Sequence, residues 1–255
     1  MKWWDVSWNP LCGCTSVSES CLNCYARRLH NQRHKAFTEE KRVPIQYAVP
    51  FEKVQLIPDR LDDPLRWKKP RIVFVNSMGD LFHKDVPDEF ILKVWNTMML
   101  APRHTFIVCT KRAQRMRDFL APMPFLSNVW LGVTAENQER YEERYPLLGR
   151  TPAAQRFISF EPLLGPINWL VPHTVSRIAQ NPLPWPDWCI VGGESGPGAR
   201  IMLPEWAQGL RDDCIRNETP YWFKQWGNAL LPPYGSAAPD FLDGRQWHER
   251  PSVER

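Results

Sequence analysis

No run of apolar residues in this chain approaches the roughly 20 needed to span a bilayer. The opening residues Met1-Lys2-Trp3-Trp4-Asp5 lack the apolar stretch of a secretory signal. Neither sign of charge dominates, since 32 Lys and Arg stand against 28 Asp and Glu, for a net +4 and a pI of about 8.7. These absences argue against a membrane protein and make the cytoplasm the expected location. The mildly basic balance permits a nucleic-acid partner without demanding one. A small disulfide-stapled scaffold is also excluded, because most of the 255 residues read as an ordinary globular chain long enough to bury a sizeable core.

What is present in quantity is proline, with 25 residues, and tryptophan, with 13. The prolines punctuate the chain and predict many short elements joined by defined turns. Cysteine is concentrated in one place, where four of the seven fall within the thirteen residues from Cys12 to Cys24. Cys14, Cys21 and Cys24 read C-x6-C-x2-C, with Cys12 just upstream. Thiolates this close together, beside Gly13, suit a soft metal or an iron–sulfur cluster. Cys109 and Cys189 lie in apolar, strand-like runs and read as buried inert thiols.

The periodicities predict eight short strands, at 4–8, 52–57, 71–75, 105–109, 128–133, 155–160, 188–191 and 220–223. Helical patterns follow most of them, at 24–32, 87–100, 113–120, 138–148 and 204–217, with a short helical or turn segment at 59–67. Residues 165–186 hold five prolines and read as a loop or insertion. The alternation predicts a parallel sheet, and eight units predict a (β/α)8-type TIM-like barrel, irregular or partly open, with the cysteine loop after its first strand. A single domain would occupy 1–227, and 228–255 reads as a Pro-rich, charged tail.

Most predicted strands end in polar residues. These are Asn76, Ser77 and Asp80; Thr110, Lys111 and Arg112; Thr134 and Glu136; Glu161; Gly192, Gly193, Glu194 and Ser195; and Lys224 and Gln225. In such barrels the site lies at the carboxyl ends of the strands, so these residues and the cysteine loop would share one rim. Each has a plain structural alternative. Ser77 and Asp80 suit a helix N-cap, Glu194 a solvated turn, and His83 a structural role. The basic run Arg27, Arg28, His30, Arg33, His34, Lys35 is either a phosphate-facing surface or a solvated helix face.

Three readings of the thiol cluster follow. Three cysteines can hold a 4Fe–4S cluster with one iron open to a small molecule. Cys12 can join as a fourth ligand of a closed structural zinc. The cysteines can also be unmetallated. The spacing matches no common zinc pattern, and a position at a barrel mouth favours chemistry over structure.

The triplet in the loop after the first strand, its last member followed by Tyr25, resembles the radical S-adenosylmethionine (SAM) superfamily. The usual spacing there is C-x3-C-x2-C, and the first gap here is wider. Lys53-Val54-Gln55-Leu56, Asn76-Ser77-Met78-Gly79-Asp80-Leu81-Phe82 and Thr110-Lys111-Arg112 resemble its spore photoproduct lyase branch. The segments Gly13–Ala26, Asn76–Phe82, Glu161–Pro166, Gly192–Gly196 and Phe223–Gly227 are similar to a phage and prophage family with a three-cysteine motif and no settled reaction. That resemblance covers about residues 3 to 228.

The resemblance implies that Cys14, Cys21 and Cys24 bind a 4Fe–4S cluster, with Cys12 a neighbouring loop thiol. SAM would chelate the open iron and be cleaved to a 5′-deoxyadenosyl radical by one electron from an external donor. Asn76, Ser77, Asp80, Thr110, Lys111, Glu136, Glu161, Gly192, Gly193, Glu194, Ser195, Lys224 and Gln225 are the candidate cofactor-binding residues. No catalytic residue is assigned. A nucleobase or nucleotide is the expected substrate, and the host cytoplasm the location if the chain is phage-encoded. The reading from another class is a zinc- or iron–sulfur-stabilised nucleic-acid-binding module without turnover.

Overall fold

The computed structural model describes residues 2–229 and 240–252. In chain order the elements begin β1 (Val6–Trp8), β2 (Leu11–Cys12), α1 (Tyr25–Thr38), β3 (Gln55–Leu56), α2 (Asp63–Arg66), β4 (Ile72–Val75) and α3 (Asp88–Leu100). They continue β5 (Thr105–Thr110), α4 (Ala113–Leu120), β6 (Val129–Thr134), α5 (Gln138–Gly149), β7 (Gln155–Phe160) and α6 (Val171–Ile178). The last are β8 (Trp188–Gly192), α7 (Pro204–Arg216), β9 (Tyr221–Gln225), β10 (Phe241–Leu242) and β11 (Arg245–Gln246).

Seven strands form one sheet in the order β1-β4-β5-β6-β7-β8-β9, and every neighbouring pair is parallel. The sheet is curled into a half-barrel. At about 4.8 Å per strand, β1 and β8 would be roughly 24 Å apart in a flat sheet. Yet the Trp3 ring, just ahead of β1, lies 5.5 Å from the Trp188 ring of β8. The Trp3 indole N–H also donates to Glu161 Oε2 beyond β7 at 3.3 Å.

The period-two alternation of the strands divides the core in two. Val73, Val75, Phe106, Val108, Leu131, Ile158, Val191 and Phe223 face outward into the layer shared with the helices. The concave face carries Ile72, Ile107, Trp130, Phe157, Trp188, Ile190 and Trp222, closed by Trp3. This aromatic plug takes four of the 13 tryptophans, and five more are buried in the outer layer. Each large ring removes on the order of 200 Å² from water, roughly 5 kcal/mol at about 25 cal/mol/Å². That attraction holds the two ends of the curl together without strand pairing between them.

The expected second strand at 52–57 is corrected. Its paired part, β3, runs antiparallel to β2 in a separate two-stranded sheet, so the main sheet has seven strands and not eight. The alternation was real, but two pairing residues lean on the cysteine loop instead of joining the sheet. Among the described residues β1 and β9 do not pair. The expected loop at 165–186 contains helix α6, with Pro172 in its first turn, where proline costs no hydrogen bond.

The expected tail at 228–255 is also corrected in its described part, since 230–239 and 253–255 lie outside the described residues. Leu242 is fully buried, Phe223 N–H donates to Trp247 O at 2.8 Å, and Glu249 N–H donates to Tyr221 O at 3.1 Å. The segment covers the free edge of β9, which would otherwise offer unpaired backbone groups. Among the described residues no helix is long and apolar enough to cross a membrane.

Burial of His173 predicts acid sensitivity in this outer layer. Its ring stacks on Trp185 at 3.6 Å and lies 5.3 Å from Tyr145. Burial, with Arg177 nearby, pushes the imidazole down to about 4 from its ordinary 6.5, against the Leu183 backbone. The unfolded chain therefore binds a proton that the folded chain refuses between those values. Stability is full above about pH 6.5 and falls toward pH 4, by roughly 2 kcal/mol after partial solvent screening. Urea titrations of the native chain and of His173→Phe should show this part of the slope only in the former. Equal slopes would refute it.

Candidate functional site at the strand C-termini

The cysteine loop leaves β2 through Gly13, whose φ of +102° suits glycine alone. A Cβ there would stand 2.7 Å from Lys53 O and 2.8 Å from Phe51 O. Gly13 N–H donates to Met78 O at 3.0 Å and Cys14 N–H to Phe51 O at 2.9 Å. The backbone is thus locked just before the first thiol of the triplet. Cys21 ends a 3-10 turn from Glu19 to Cys21, and Cys24 caps α1.

Side chains from the far strands hold the loop between these points. Arg112 donates to Cys14 Sγ at 3.4 Å, Thr15 O at 3.0 Å and Thr15 Oγ1 at 3.2 Å. Ser20 N–H donates to Glu136 Oε1 at 3.4 Å, beyond β6. Arg200 donates to Glu19 O at 3.1 Å, and Asn23 Nδ2 donates to Glu194 Oε2 at 2.8 Å, beyond β8. The loop therefore bridges the mouth of the half-barrel, from the β4 side to the β8 side.

Electrostatics differ among the thiols. Burial pushes the Cys14 thiol up to about 11, helped by Asp80 and opposed by Arg112. Burial acts on Cys21 in the same sense, but Lys111 and the backbone of Val17 and Ser18 outweigh it and leave that thiol lowered. Cys12 lies apart. It is buried in β2, and its Sγ is 3.4 Å from His30 Nδ1 while His30 Nε2 is 2.8 Å from Val49 O. With the ring proton donated to Val49 O, Nδ1 accepts from the Cys12 S–H. Cys12 thus has a hydrogen-bond partner inside the protein.

The polar strand ends converge on this loop, each in a distinct way. Asp80 accepts from Thr110 Oγ1 at 2.7 Å, Phe82 N–H at 2.9 Å, Lys111 N–H at 3.4 Å and Arg112 Nη1 at 2.8 Å. Its acceptor capacity is filled, so it positions Arg112. Asn76, at φ 72°, has its amide set to donate to Leu11 O at 2.8 Å and accept from Asp80 N–H at 3.2 Å. Ser77 Oγ donates to Asn9 Oδ1 at 3.2 Å, and its carbonyl accepts from the Tyr25 hydroxyl at 2.7 Å.

Glu136 is fully buried and paired with Arg144 at 3.0 Å. Burial works to raise its carboxyl, but Arg144, Ser18, Lys111 and Ser20 hold it below the ordinary range. Glu194 is likewise held low, with Arg200 and Asn23 outweighing burial. Glu161 is bonded to Lys224 Nζ and accepts from Ser159 Oγ at 3.1 Å. Lys224 Nζ also sits 5.9 Å from the Trp4 ring, at the top of the concave face. Lys111 is the exception, for its ammonium makes no hydrogen bond or ion pair among the described residues.

Gly193 admits a close approach, but to the chain itself. A Cβ there would lie 1.9 Å from Trp226 O, and its N–H donates to Gln225 O at 2.8 Å. Gly192 faces the Glu161 carboxyl, 3.3 Å from where a Cβ would stand. Ser195 contributes its carbonyl, which accepts from Arg28 at 3.1 Å, and Gln225 Nε2 is 3.5 Å from Gly193 O. Gly193→Ala should cost about 2–4 kcal/mol by overpacking. Urea denaturation would measure it, and a loss below roughly 0.5 kcal/mol would show that the β9 end yields freely.

Four residues were missed as site members. Asn23, Arg144, Arg200 and Thr15 tie the loop to the strands or hold the carboxylates that do. Thr15 and Asn23 lie inside the segment Gly13–Ala26, but spacing carries no sign of contacts such as that of Asn23 to Glu194, 171 residues away. His83 is fully buried, with Nε2 2.7 Å from Thr15 Oγ1 and Nδ1 accepting from Asp85 N–H at 3.1 Å, which makes it a support for the loop.

The donor chemistry fits an iron–sulfur group. All seven cysteines are unpaired thiols, and the cations Lys111 and Arg112 stand beside Cys21 and Cys14 to offset thiolate charge. The three thiols do not stand as a ready-made ligand set, since among the described residues no group of three or more His, Cys, Asp or Glu could hold a metal ion as placed. Loading would require them to converge. A family model described as "Protein of unknown function (DUF5131)" matches residues 1–251. No curated protein and no solved structure matches the chain.

Proposed function

The chain belongs to the DUF5131 family, and we propose that it is a radical SAM-type enzyme built on a TIM-like α/β fold. The observation that carries this reading is the bridging loop, which sets Cys14, Cys21 and Cys24 over the carboxyl ends of a curled parallel sheet, among buried charged groups. Those three cysteines would hold a 4Fe–4S cluster, and Cys12 would not. When bound, the cluster and SAM would supply one-electron cleavage of SAM to a 5′-deoxyadenosyl radical.

The chain's own residues would bind and orient. The free ammonium of Lys111 is suited to the carboxylate of SAM. Arg112, fixed by Asp80, would hold the loop rather than the ligand. The Glu161–Lys224 pair would face the substrate above the tryptophan plug, which closes the lower end of the concave face to water. A nucleobase or nucleotide remains the proposed substrate, supported by the basic helix α1 beside the loop.

Anaerobic purification with iron and sulfide analysis, then electron paramagnetic resonance with and without SAM, tests the reading. About four irons per chain and a spectrum altered by SAM are expected. One tightly held zinc, no iron after reconstitution and no SAM effect would instead favour a nucleic-acid-binding module without turnover.

A further inference from the structure

Beside the start of the cysteine loop, lined in part by Cys12 and Met78, lies a cavity of about 390 Å³. That volume is within the range of small-molecule sites, roughly 300–1,000 Å³. Arg33 of α1 and Arg60 both line it, and no carboxylate does. Neither arginine has an ion-pair partner among the described residues. Two guanidiniums sharing one uncompensated cavity repel each other, and an anion between them removes that cost.

The cavity is built rather than incidental. Arg60 is held by Asn9 O at 3.2 Å and Gln46 Oε1 at 3.1 Å, so its fork is fixed in place. Arg33 donates to the Tyr47 hydroxyl and lies 5.0 Å over the Tyr47 ring. The Tyr47 O–H has no acceptor of its own among the described residues, and the residue is buried. Val43, Pro44, Met78 and the Cys12 thiol add apolar wall to these donors. Charged forks together with apolar wall select a small molecule with an oxyanion head and an apolar body.

We infer that this cavity is a second binding site for a small ligand carrying a phosphate or carboxylate that Arg33 and Arg60 grip together. The inference does not rest on the radical SAM reading and stands if no cluster is found.

Isothermal titration of the full chain at low salt with phenyl phosphate and with benzoate tests it. At least one probe should bind with a Kd of about 1 mM or below. Phenyl phosphate alone would assign a phosphate head, and benzoate alone a carboxylate. Arg33→Gln, an exposed change on a helix, should weaken binding about tenfold, as should Arg60→Gln. Arg42→Gln, outside the cavity, should leave it unchanged. Because Arg60 also braces Asn9 and Gln46, Arg33→Gln decides the matter if Arg60→Gln fails to fold. No binding of either probe at about 10 mM, or equal binding by native chain and Arg33→Gln, would overturn the inference.

Discussion

Alanine at any one of Cys14, Cys21 or Cys24 should strip the reconstituted chain of its cluster, taking iron from about four per chain to below one. The SAM-dependent spectral change should vanish with it, and release of 5′-deoxyadenosine should fall by at least roughly a thousandfold. The reason is ligand number. Three thiolates are the minimum that leaves one iron open, and nothing else on the loop replaces a lost one. Thr15 and Ser20 are poor ligands for iron, and both hydroxyls are engaged, to Arg112 and to the Ser18 hydroxyl. Cys12→Ala is the contrasting variant. It removes a buried thiol whose proton goes to His30, so it should cost about 1–2 kcal/mol of stability and retain iron. A triplet variant that keeps its full iron would sink the assignment, and a Cys12→Ala chain that loses iron would move Cys12 into the ligand set.

The second large effect is on stability. Arg144→Ala should destabilise the fold by about 3–5 kcal/mol, near 10 °C in Tm. Arg144 and Glu136 are 2% and 0% exposed, and Arg144 also donates to Thr134 O at 2.8 Å. Truncating the arginine leaves a carboxylate with no water and no counter-charge, which is worse than losing the pair. The double variant Glu136→Gln with Arg144→Met should therefore recover a good part of the loss. Glu136→Gln alone reaches the cysteine loop through Ser20, so its effect should appear in iron retention as well as in the melting curve. An Arg144→Ala chain within about 1 kcal/mol of native would show that water reaches Glu136.

The main strands were legible because continuous apolar runs such as Ile72–Val75 and Thr105–Thr110 bury both faces, one against helices and one against the plug. Helix α4 was placed at its observed ends from amphipathic spacing alone. What local pattern does not carry is the identity of a partner. The 52–57 stretch alternates like a sheet strand, yet pairs with the residues that launch the cysteine loop. The prolines of 165–186 argued for a loop, but Pro172 sits where a helix tolerates it. In the site, the polar strand ends were identifiable because parallel sheets expose those ends. Their uses were not, since Asp80 and Glu194 are each saturated by partners supplied from other strands or later turns. The glycines at 192 and 193 suggested ligand approach, whereas Gly193 makes room for the backbone of Trp226.

The bridging loop also bears on how the chain is made. Neighbours in the sheet are successive main-sheet strands in sequence, so each can dock as it leaves the ribosome. The loop's anchors break that order. Glu136 emerges after more than half of the chain, and Glu194 and Arg200 later still. Until then the three thiols hang from the nascent chain with only their β4-side and Arg112 contacts available. Synthesis from N- to C-terminus thus leaves an interval in which the thiols remain reachable from solvent, and the translation of residues 194–200 closes it.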